Sequence, residues 1–131
     1  MKDAQFRFDM KGVNLVDKRM KDTLASATYV LQDEIREAQV IPRMDGTLSG
    51  EAFTVHDYSR RKYMLMTFAT PYARRLYYHP EYNFHKEPWV DKQGRSHDGN
   101  PNAQGKWMRH WIKGGKYENR LSEIFERLLK L

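Results

Sequence analysis

The most regular hydrophobic pattern in the chain runs from residue 13 to residue 38. Apolar residues recur there at steps of three or four, at Val13, Val16, Met20, Leu24, Ala27, Leu31, Ile35 and Ala38. This spacing lines one face of an amphipathic α-helix. Asn14 is the predicted N-cap, with Asp17 three residues further on, and the helix is expected to end before Pro42.

Two shorter stretches after this helix alternate with a period of two, as β-strands do. A loop rich in Pro and Gly separates them from the helix. In residues 51–57, Phe53 and Val55 share one face. In residues 62–69, both faces are largely apolar, which indicates a strand covered on both sides. The two stretches, joined by a turn, predict an antiparallel hairpin that packs on the first helix.

The segment that follows the hairpin begins with Thr70 and Pro71, a cap-like residue with proline at the first helical position. A short helix is predicted there, with Ala73 and Tyr77 on one face. A polar stretch from residue 79 to residue 105 then contains several Pro and Gly residues. Because it is long for a connection within a compact domain, we expect a functional loop or a segment that orders on assembly.

Two further helices are predicted near the end of the chain. The first is expected to start at residues 100–102 and to end at residues 114–115, with an apolar stripe of Ala103, Trp107 and Trp111. The second starts at residue 117 and is amphipathic. Its apolar positions are Tyr117, Leu121, Ile124, Leu128 and Leu131, with Phe125 and Leu129 beside them.

These elements predict an α+β fold. A small antiparallel β-sheet is packed against a long N-terminal helix and a C-terminal helix, with a long loop. The 131 residues suit a single domain. With no cysteine, disulfides, thiolate zinc sites and thiol catalysis are excluded. No apolar stretch approaches the roughly 18 residues of a membrane span, so we expect a soluble protein without a membrane partner.

The net charge of +6 and the pI near 9.5 raise the question of nucleic-acid contact. Acidic residues are mixed among the basic ones, and no DNA-reading motif is present. The densest basic clusters are short, and they are the candidate contacts to DNA without sequence specificity: Arg60, Arg61, Lys62, Arg74 and Arg75. A nonspecific nucleic-acid-binding module that uses basic and aromatic residues is therefore the alternative hypothesis.

Candidate catalytic and metal-binding groups were sought among the histidines and carboxylates. Three histidines share the long loop with four acidic residues, at spacings that match no standard metal site. These residues are His79, Glu81, His85, Glu87, Asp91, His97 and Asp98. Neither a serine-nucleophile motif nor a phosphate-binding loop is present. We predict no catalytic residue, no metal and no cofactor.

Aromatic and basic residues alternate between residues 72 and 89. The aromatic residues are Tyr72, Tyr77, Tyr78, Tyr82, Phe84 and Trp89, interleaved with Arg74, Arg75 and Lys86. Such a series can stack single-stranded bases. Tyr, Trp and Arg are also the residues enriched where one protein anchors on another, and we favour that interpretation.

A resemblance to a known family rests on two segments. Residues 70–78, Thr-Pro-Tyr-Ala-Arg-Arg-Leu-Tyr-Tyr, and residues 100–107, Asn-Pro-Asn-Ala-Gln-Gly-Lys-Trp, resemble the small minor capsid proteins of siphophages that infect Gram-positive bacteria. The order of predicted elements is similar to that of tail-completion proteins, which lie in the neck between head and tail. The resemblance covers most of the chain.

This resemblance implies a single neck domain over residues 1–131, repeated as a closed ring of six or twelve copies around the DNA channel. It implies no enzyme activity and no cofactor. The implied partners are other copies of the chain, a portal-side adaptor or head-closure protein, and a tail terminator or tail tube protein. The implied location is the head-to-tail junction of the virion, assembled in the host cytoplasm.

Carried over by position, the resemblance also gives structural roles to individual residues. Pro71, Tyr72 and Ala73 fix the turn after the second strand, and Trp107 anchors the later helix against the sheet. A ring subunit docks one surface onto a different surface of the next copy. The hairpin at residues 51–69 and the loop at residues 79–99 are the predicted surfaces. The basic clusters then face either passing DNA or acidic neighbours.

Overall fold

Helices and strands follow one another in the order expected of a mixed α+β chain. A computed structural model describes residues 4–10, 17–41, 50, 52–70, 73–79, 88–90, 92–97 and 102–130. Its elements are β1 (Ala4–Asp9), α1 (Lys18–Glu37), β2 (Phe53–Tyr58), β3 (Tyr63–Phe68), α2 (Ala73–Tyr77), β4 (Trp89–Val90), β5 (Ser96–His97) and α3 (Arg120–Leu129). The predicted α+β fold class is confirmed.

The main sheet has three antiparallel strands in the order β1-β3-β2. The hairpin of β2 and β3 is the predicted one, and the central strand β3 carries the fully buried Met64, Met66 and Phe68. Strand β1 was not predicted. Its apolar residues Ala4 and Phe8 are buried between exposed polar ones, which is the alternation of a strand with one covered face.

Helix α1 follows the predicted apolar stripe, because Leu24, Ala27, Leu31 and Ile35 are all buried. It ends before Pro42, as expected. Its predicted start is wrong, since α1 begins at Lys18 and the capping group is the Asp17 carboxylate, which accepts the Met20 N–H at 2.8 Å. The predicted cap, Asn14, lies outside the described residues.

The helix predicted after residue 102 is wrong, although its apolar stripe is right. Ala103, Trp107 and Trp111 are buried, but residues 102–119 form successive turns. Backbone hydrogen bonds leave the segment for distant partners, from the Gln104 N–H to the Val40 carbonyl and from the Lys106 N–H to the Tyr77 carbonyl. Helix α3 then begins at residue 120, three residues later than predicted.

Part of the long loop predicted at residues 79–105 forms a small hairpin. Strands β4 and β5 are antiparallel, and Trp89 pairs with His97 while Val90 pairs with Ser96. Gly94 lies between the strands with φ at +80°, a conformation that favours glycine. Residues 80–87, 91 and 98–101 of this loop lie outside the described part of the chain.

Contacts between Cα atoms group the described residues into two compact units. Unit 1 is drawn from residues 1–4, 35–54 and 67–107, and unit 2 from residues 5–34, 55–66 and 108–131. Each unit is therefore assembled from three separate stretches of chain.

The two units differ in the types of side chain that they bury. Unit 1 has an aromatic core, whose buried members include Phe53, Phe68, Tyr77 and Trp107. Unit 2 buries mainly aliphatic and methionine side chains, which include Leu24, Leu31, Met64, Met66, Met108, Leu121 and Ile124.

Candidate functional site

A turn between β2 and β3 presents a cluster of basic side chains in unit 2. Residues Ser59–Arg61 form one turn of 3₁₀ helix, and Lys62 follows it in the left-handed conformation with φ at +65°. Arg60, Arg61 and Lys62 are all exposed, and so is the preceding Tyr58, at 40%. We call these four residues, Tyr58 and residues 60–62, the basic turn.

Hydrogen bonds hold the backbone of the basic turn. The Ser59 N–H donates to the Asp57 carboxylate at 2.8 Å, and the Lys62 N–H donates to the Ser59 carbonyl at 3.0 Å. The Lys62 carbonyl accepts the Met10 N–H at 2.8 Å, which ties the turn to the end of β1. Since Ser59 is also buried, the backbone that carries the three cations is fixed before any partner arrives.

An aromatic stack supports the turn from the side. The Tyr58 and Tyr63 rings are stacked with their centroids 5.0 Å apart. The Arg7 guanidinium lies 3.8 Å from the centroid of the Tyr63 ring, and its Nε is 2.7 Å from the Asp9 carboxylate. Such contacts hold Tyr58 in place while 40% of the residue stays accessible to a partner.

A second exposed surface of unit 2 lies on α1, on the side opposite its buried stripe. Asp22, Ser26, Tyr29, Val30 and Asp33 are all exposed there, and we call this set the acidic helix face. Tyr29 is 51% exposed and Val30 is 44% exposed, which is unusual for large apolar side chains side by side on a charged helix. The surface therefore combines an apolar centre with acidic ends.

The charge of this part of α1 differs from that of the chain as a whole. Between Asp22 and Glu34 the sequence has three acids and no base, whereas the whole chain has 23 Lys and Arg against 17 Asp and Glu. Lys18 is 3.7 Å from the Asp22 carboxylate, but both side chains are mostly exposed, and such pairs contribute little. The negative charge of the acidic helix face is therefore concentrated around Asp33, because Lys18 accompanies Asp22 at the other end.

The Glu34 carboxylate joins α1 to the end of the chain within unit 2. Its Oε1 accepts the Arg120 Nε–H at 2.7 Å, and its Oε2 accepts the Trp111 indole N–H at 3.3 Å. Arg120 also lies 3.7 Å from the Glu123 carboxylate. One carboxylate therefore satisfies a tryptophan and an arginine that are both far from it in sequence.

Aromatic rings surround His110 next to this carboxylate. The His110 ring centroid lies 6.1 Å from that of Trp111 and 6.3 Å from that of Tyr117, and the rings meet edge to face. Burial, together with the positive charges of Arg109 and Lys116, lowers the pKa of His110 below its ordinary value of 6.5. His110 is consequently neutral over more of the acidic range than a free histidine.

Glycine is required where the chain turns back at residues 114 and 115. Gly114 has φ at +89°, and a Cβ at Gly115 would overlap the backbone carbonyls of Arg109 and His110. The turn is closed by the Tyr117 N–H, which donates to the His110 carbonyl at 2.6 Å. These contacts hold His110, Trp111 and Tyr117 together as one cluster.

The aromatic core of unit 1 contains Tyr77 and Trp107, two of the residues that the sequence singled out for structural roles. Trp107 is fully buried, and its ring centroid lies 5.4 Å from that of Phe68 and 4.9 Å from that of Tyr77, both edge to face. Phe53 stacks on Phe68 at 4.3 Å. Trp107 lies against Phe68 of strand β3, but it stands on a turn, and the later helix that it was expected to anchor does not form there.

Three buried polar atoms of unit 1 have no hydrogen-bond partner within the described structure. They are the hydroxyls of Thr67 and Thr70 and the indole N–H of Trp107. The Thr70 hydroxyl therefore does not cap the following helix, contrary to the sequence prediction, and only the Thr70 carbonyl accepts the Ala73 N–H, at 3.4 Å. Buried polar atoms without partners are uncommon and costly, so each of these three lowers the stability of unit 1.

The predicted site residues fall into different parts of the fold. Ala73 and Tyr77 are buried on one face of α2, as their spacing predicts, whereas Pro71 and Tyr72 lie outside the described residues. Arg74 and Arg75 are exposed on α2.

Among the predicted DNA contacts, Arg74 and Arg75 belong to unit 1, while Arg60, Arg61 and Lys62 belong to unit 2. The predicted anchor Trp111 likewise belongs to unit 2 and takes part in the cluster around Glu34. The predicted DNA contacts and the tryptophans, which were grouped by residue type, are therefore divided between the two units.

No group of three or more His, Asp or Glu side chains in the described ranges is arranged to hold a metal ion. Of the helices that the structure describes, none combines the length and the apolar character needed to cross a membrane.

Sequence reasoning missed the acidic helix face and the role of Glu34. Tyr29 and Val30 lie off the apolar stripe of α1, and this is the signal that could have marked them as exposed. Glu34 carries no such signal, because its partners are 77 and 86 residues away.

Comparisons with known proteins were made at the level of families, sequences and structures. No protein-family model, no curated protein and no solved structure matches the chain. A functional interpretation therefore rests on the residues and their geometry. What these define is an α+β protein with an exposed basic turn and an exposed acidic helix face.

Proposed function

We propose that the chain is a structural subunit of a phage head-to-tail connector. In this role it forms a ring that joins the DNA-filled capsid to the tail and lines the DNA channel. The observation that carries the proposal is the pair of exposed, oppositely charged surfaces in unit 2, each with an exposed tyrosine. A ring subunit needs two different surfaces of this kind, one for each neighbour.

The composition of these surfaces supports contact with proteins. Tyr29, Val30 and Tyr58 are between 40% and 51% exposed, and tyrosine is enriched where protein interfaces are buried. Charged residues around such anchors select the partner and fix its orientation. Exposed tyrosines among charged residues are thus suited to a surface on which another protein docks.

The resemblance noted in the sequence supports the neck as the place of assembly. It implies an α+β subunit with a small antiparallel sheet, and the chain has that fold class. It also implies that Trp107 anchors a later helix against the sheet; Trp107 does contact Phe68 of β3, although from a turn. The proposed partners are further copies of the chain, a portal-side adaptor or head-closure protein, and a tail terminator or tail tube protein.

The proposal is tested by measuring mass in solution. The chain is examined alone and mixed with the neck and tail proteins of the same virion, over a range of salt concentrations. Rings that form with these partners and without DNA are the expected result. A chain that stays monomeric with every neck protein, or that associates only when DNA is added, would contradict the connector role.

A nonspecific nucleic-acid-binding module is the second candidate, and one observation favours it. All five predicted DNA contacts, Arg60, Arg61, Lys62, Arg74 and Arg75, are exposed. If they bind phosphates, the logarithm of the affinity falls linearly with the logarithm of salt concentration, with a slope near 0.9 for each phosphate neutralised. Titration of a labelled duplex at several salt concentrations measures this slope, and rings without DNA are not expected.

A further inference from the structure

We propose that the basic turn of one copy docks on the acidic helix face of the next copy. The inference rests on the proposed connector function and names the contact by which the ring closes. The occupant of the acidic helix face is thus a second copy of this chain, and the residues that enter it are Tyr58, Arg60, Arg61 and Lys62.

Charge is the first argument for this pairing. The basic turn presents three consecutive exposed cations, while the acidic helix face presents Asp22 and Asp33, with Lys18 at 3.7 Å from the Asp22 carboxylate. Both surfaces are exposed and both belong to unit 2. Each surface would repel a copy of itself, so the attractive arrangement is the heterologous one, in which the turn of one subunit meets the helix of the next.

Apolar contact is the second argument. Each charged surface has exposed aromatic or aliphatic side chains within it, Tyr58 on one and Tyr29 with Val30 on the other. Interface energy is concentrated in such central anchors, and the surrounding charges mainly align the partners. Tyr58, Tyr29 and Val30 are about half exposed in an isolated subunit, and the pairing would remove all three from water.

Preorganisation is the third argument. Three hydrogen bonds, from Ser59 to Asp57, from Lys62 to Ser59 and from Met10 to Lys62, fix the backbone of the turn in the single chain. The other surface lies on a continuous helix of 20 residues. Because neither backbone has to be ordered on docking, the entropic cost of association is reduced.

This contact gives the cations of the turn a protein partner in place of DNA. Arg60 and Arg61 paired with Asp22 and Asp33 of the next copy would add little positive charge to a channel. If a change in the turn abolishes DNA binding but not ring formation, the turn binds DNA and not the next copy.

Charge reversal on each surface provides the test. The turn variant is Arg60→Glu with Arg61→Glu, and the helix variant is Asp22→Lys with Asp33→Lys. All four residues are exposed, so both variants are expected to fold, which circular dichroism verifies. The matched control is Arg127→Glu with Lys130→Glu, which changes the charge by the same amount at two exposed positions at the end of α3. Arg60→Gln with Arg61→Gln is a milder turn variant.

The measurement is the concentration at which rings form, by analytical ultracentrifugation in the presence of the neck proteins. We expect each charge-reversal variant alone to need at least about tenfold more protein, and the control to behave as wild type. An equimolar mixture of the two variants is expected to form rings again, since the turn of each then meets the complementary helix of the other. A single chain with all four changes recovers in the same way.

The outcomes separate the contact from the function. If the wild-type chain and both variants form rings at the same protein concentration, the proposed contact is wrong and the connector proposal stands. A mixture that fails to recover, although both variants are folded, overturns the contact as well. A wild-type chain that stays monomeric with all neck proteins overturns the connector proposal, and the contact with it.

Discussion

Two tryptophans four residues apart, one in each unit, differ in the hydrogen bonding of the indole N–H. In unit 1, the Trp107 indole N–H has no hydrogen-bond partner within the described structure, and the ring is held by Phe68 and Tyr77. In unit 2, the Trp111 indole N–H donates to the Glu34 carboxylate. The first site is stabilised by packing alone, and the second by packing together with a charged acceptor.

The buried threonines repeat this contrast. The Thr67 hydroxyl of unit 1 is unpaired within the described residues, whereas the Thr28 hydroxyl of unit 2 donates to the Leu24 carbonyl at 2.8 Å. An unpaired buried hydroxyl lowers stability, because it loses water and gains no partner. At the compared sites the buried polar atoms of unit 1 are unpaired, whereas those of unit 2 are hydrogen-bonded. Four predictions test this difference.

The largest effect is expected at Trp107. Trp107→Ala should lower the free energy of unfolding by roughly 3–5 kcal/mol, because a fully buried ring leaves a cavity between Phe68 and Tyr77. Trp107→Phe should lose less than half of that, since it keeps an aromatic ring and removes an unpaired N–H. Urea unfolding measures both. Equal losses in the two variants would contradict the conclusion that an aromatic ring at this position supplies most of the stability.

A smaller loss is expected when the Glu34 carboxylate is removed. Glu34→Ala should lower the free energy of unfolding by about 1–2 kcal/mol, because Trp111 and Arg120 lose their acceptor while water replaces part of it. The matched control is Glu126→Ala on the exposed side of α3, for which we expect a change below about 0.5 kcal/mol. Similar losses in both variants would contradict the role of Glu34.

The two threonines should respond to valine with opposite signs. Thr67→Val removes an unpaired hydroxyl and is expected to raise the free energy of unfolding by about 1 kcal/mol. Thr28→Val removes a hydrogen-bonded hydroxyl and is expected to lower it by a similar amount, about 1 kcal/mol. The shift of the urea unfolding midpoint gives the sign of the change in the free energy of unfolding for each variant. A loss at Thr67 as large as that at Thr28 would remove the distinction between the units.

The smallest effect concerns pH and His110. Its pKa is lower in the folded chain than the ordinary value of 6.5, so the unfolded chain binds more protons between these two pKa values. The stability contributed by neutral His110 is therefore fully present above pH 6.5 and is lost as the pH falls through the folded pKa. His110→Asn should flatten the pH dependence of the urea midpoint in this range. An unchanged slope would show that His110 titrates as a free histidine.

The elements with long and regular patterns were predictable from the sequence, and those made by distant contacts were less so. The stripe of α1, the hairpin of β2 and β3 and the helix α3 follow from local periodicity. Strand β1 was predictable in principle, since Ala4, Phe6 and Phe8 alternate with polar residues, but it was missed because the strand is short and its partner β3 is far along the chain.

The segment after residue 102 shows where local reasoning fails. A spacing of four predicted correctly that Ala103, Trp107 and Trp111 share a buried side, but the backbone follows other partners. The left-handed φ of +48° at Lys106 and of +89° at Gly114 interrupts any helical hydrogen-bond ladder. Burial is set by the pattern of side chains, while the backbone path here depends on contacts with residues 38–40 and 77.

The candidate surfaces were predictable in part. The exposed cations at residues 60–62 are evident from the sequence, but the hydrogen bonds from Met10 and to Asp57 that fix their backbone are not. The acidic helix face depends on knowing which side of α1 is buried. Pairs such as Glu34 with Arg120, 86 residues apart, arise only when the chain has folded.

The three-stretch composition of each unit has a consequence for the order of folding. Unit 2 needs residues 108–131 as well as residues 5–34, so its first helix emerges from the ribosome long before the segment that completes its core. Because contacts between distant residues must wait for the chain to close large loops, we expect slow folding that is completed only after synthesis. During that interval the apolar stripe of α1 is uncovered, and a chaperone that shields it would raise the yield of native protein.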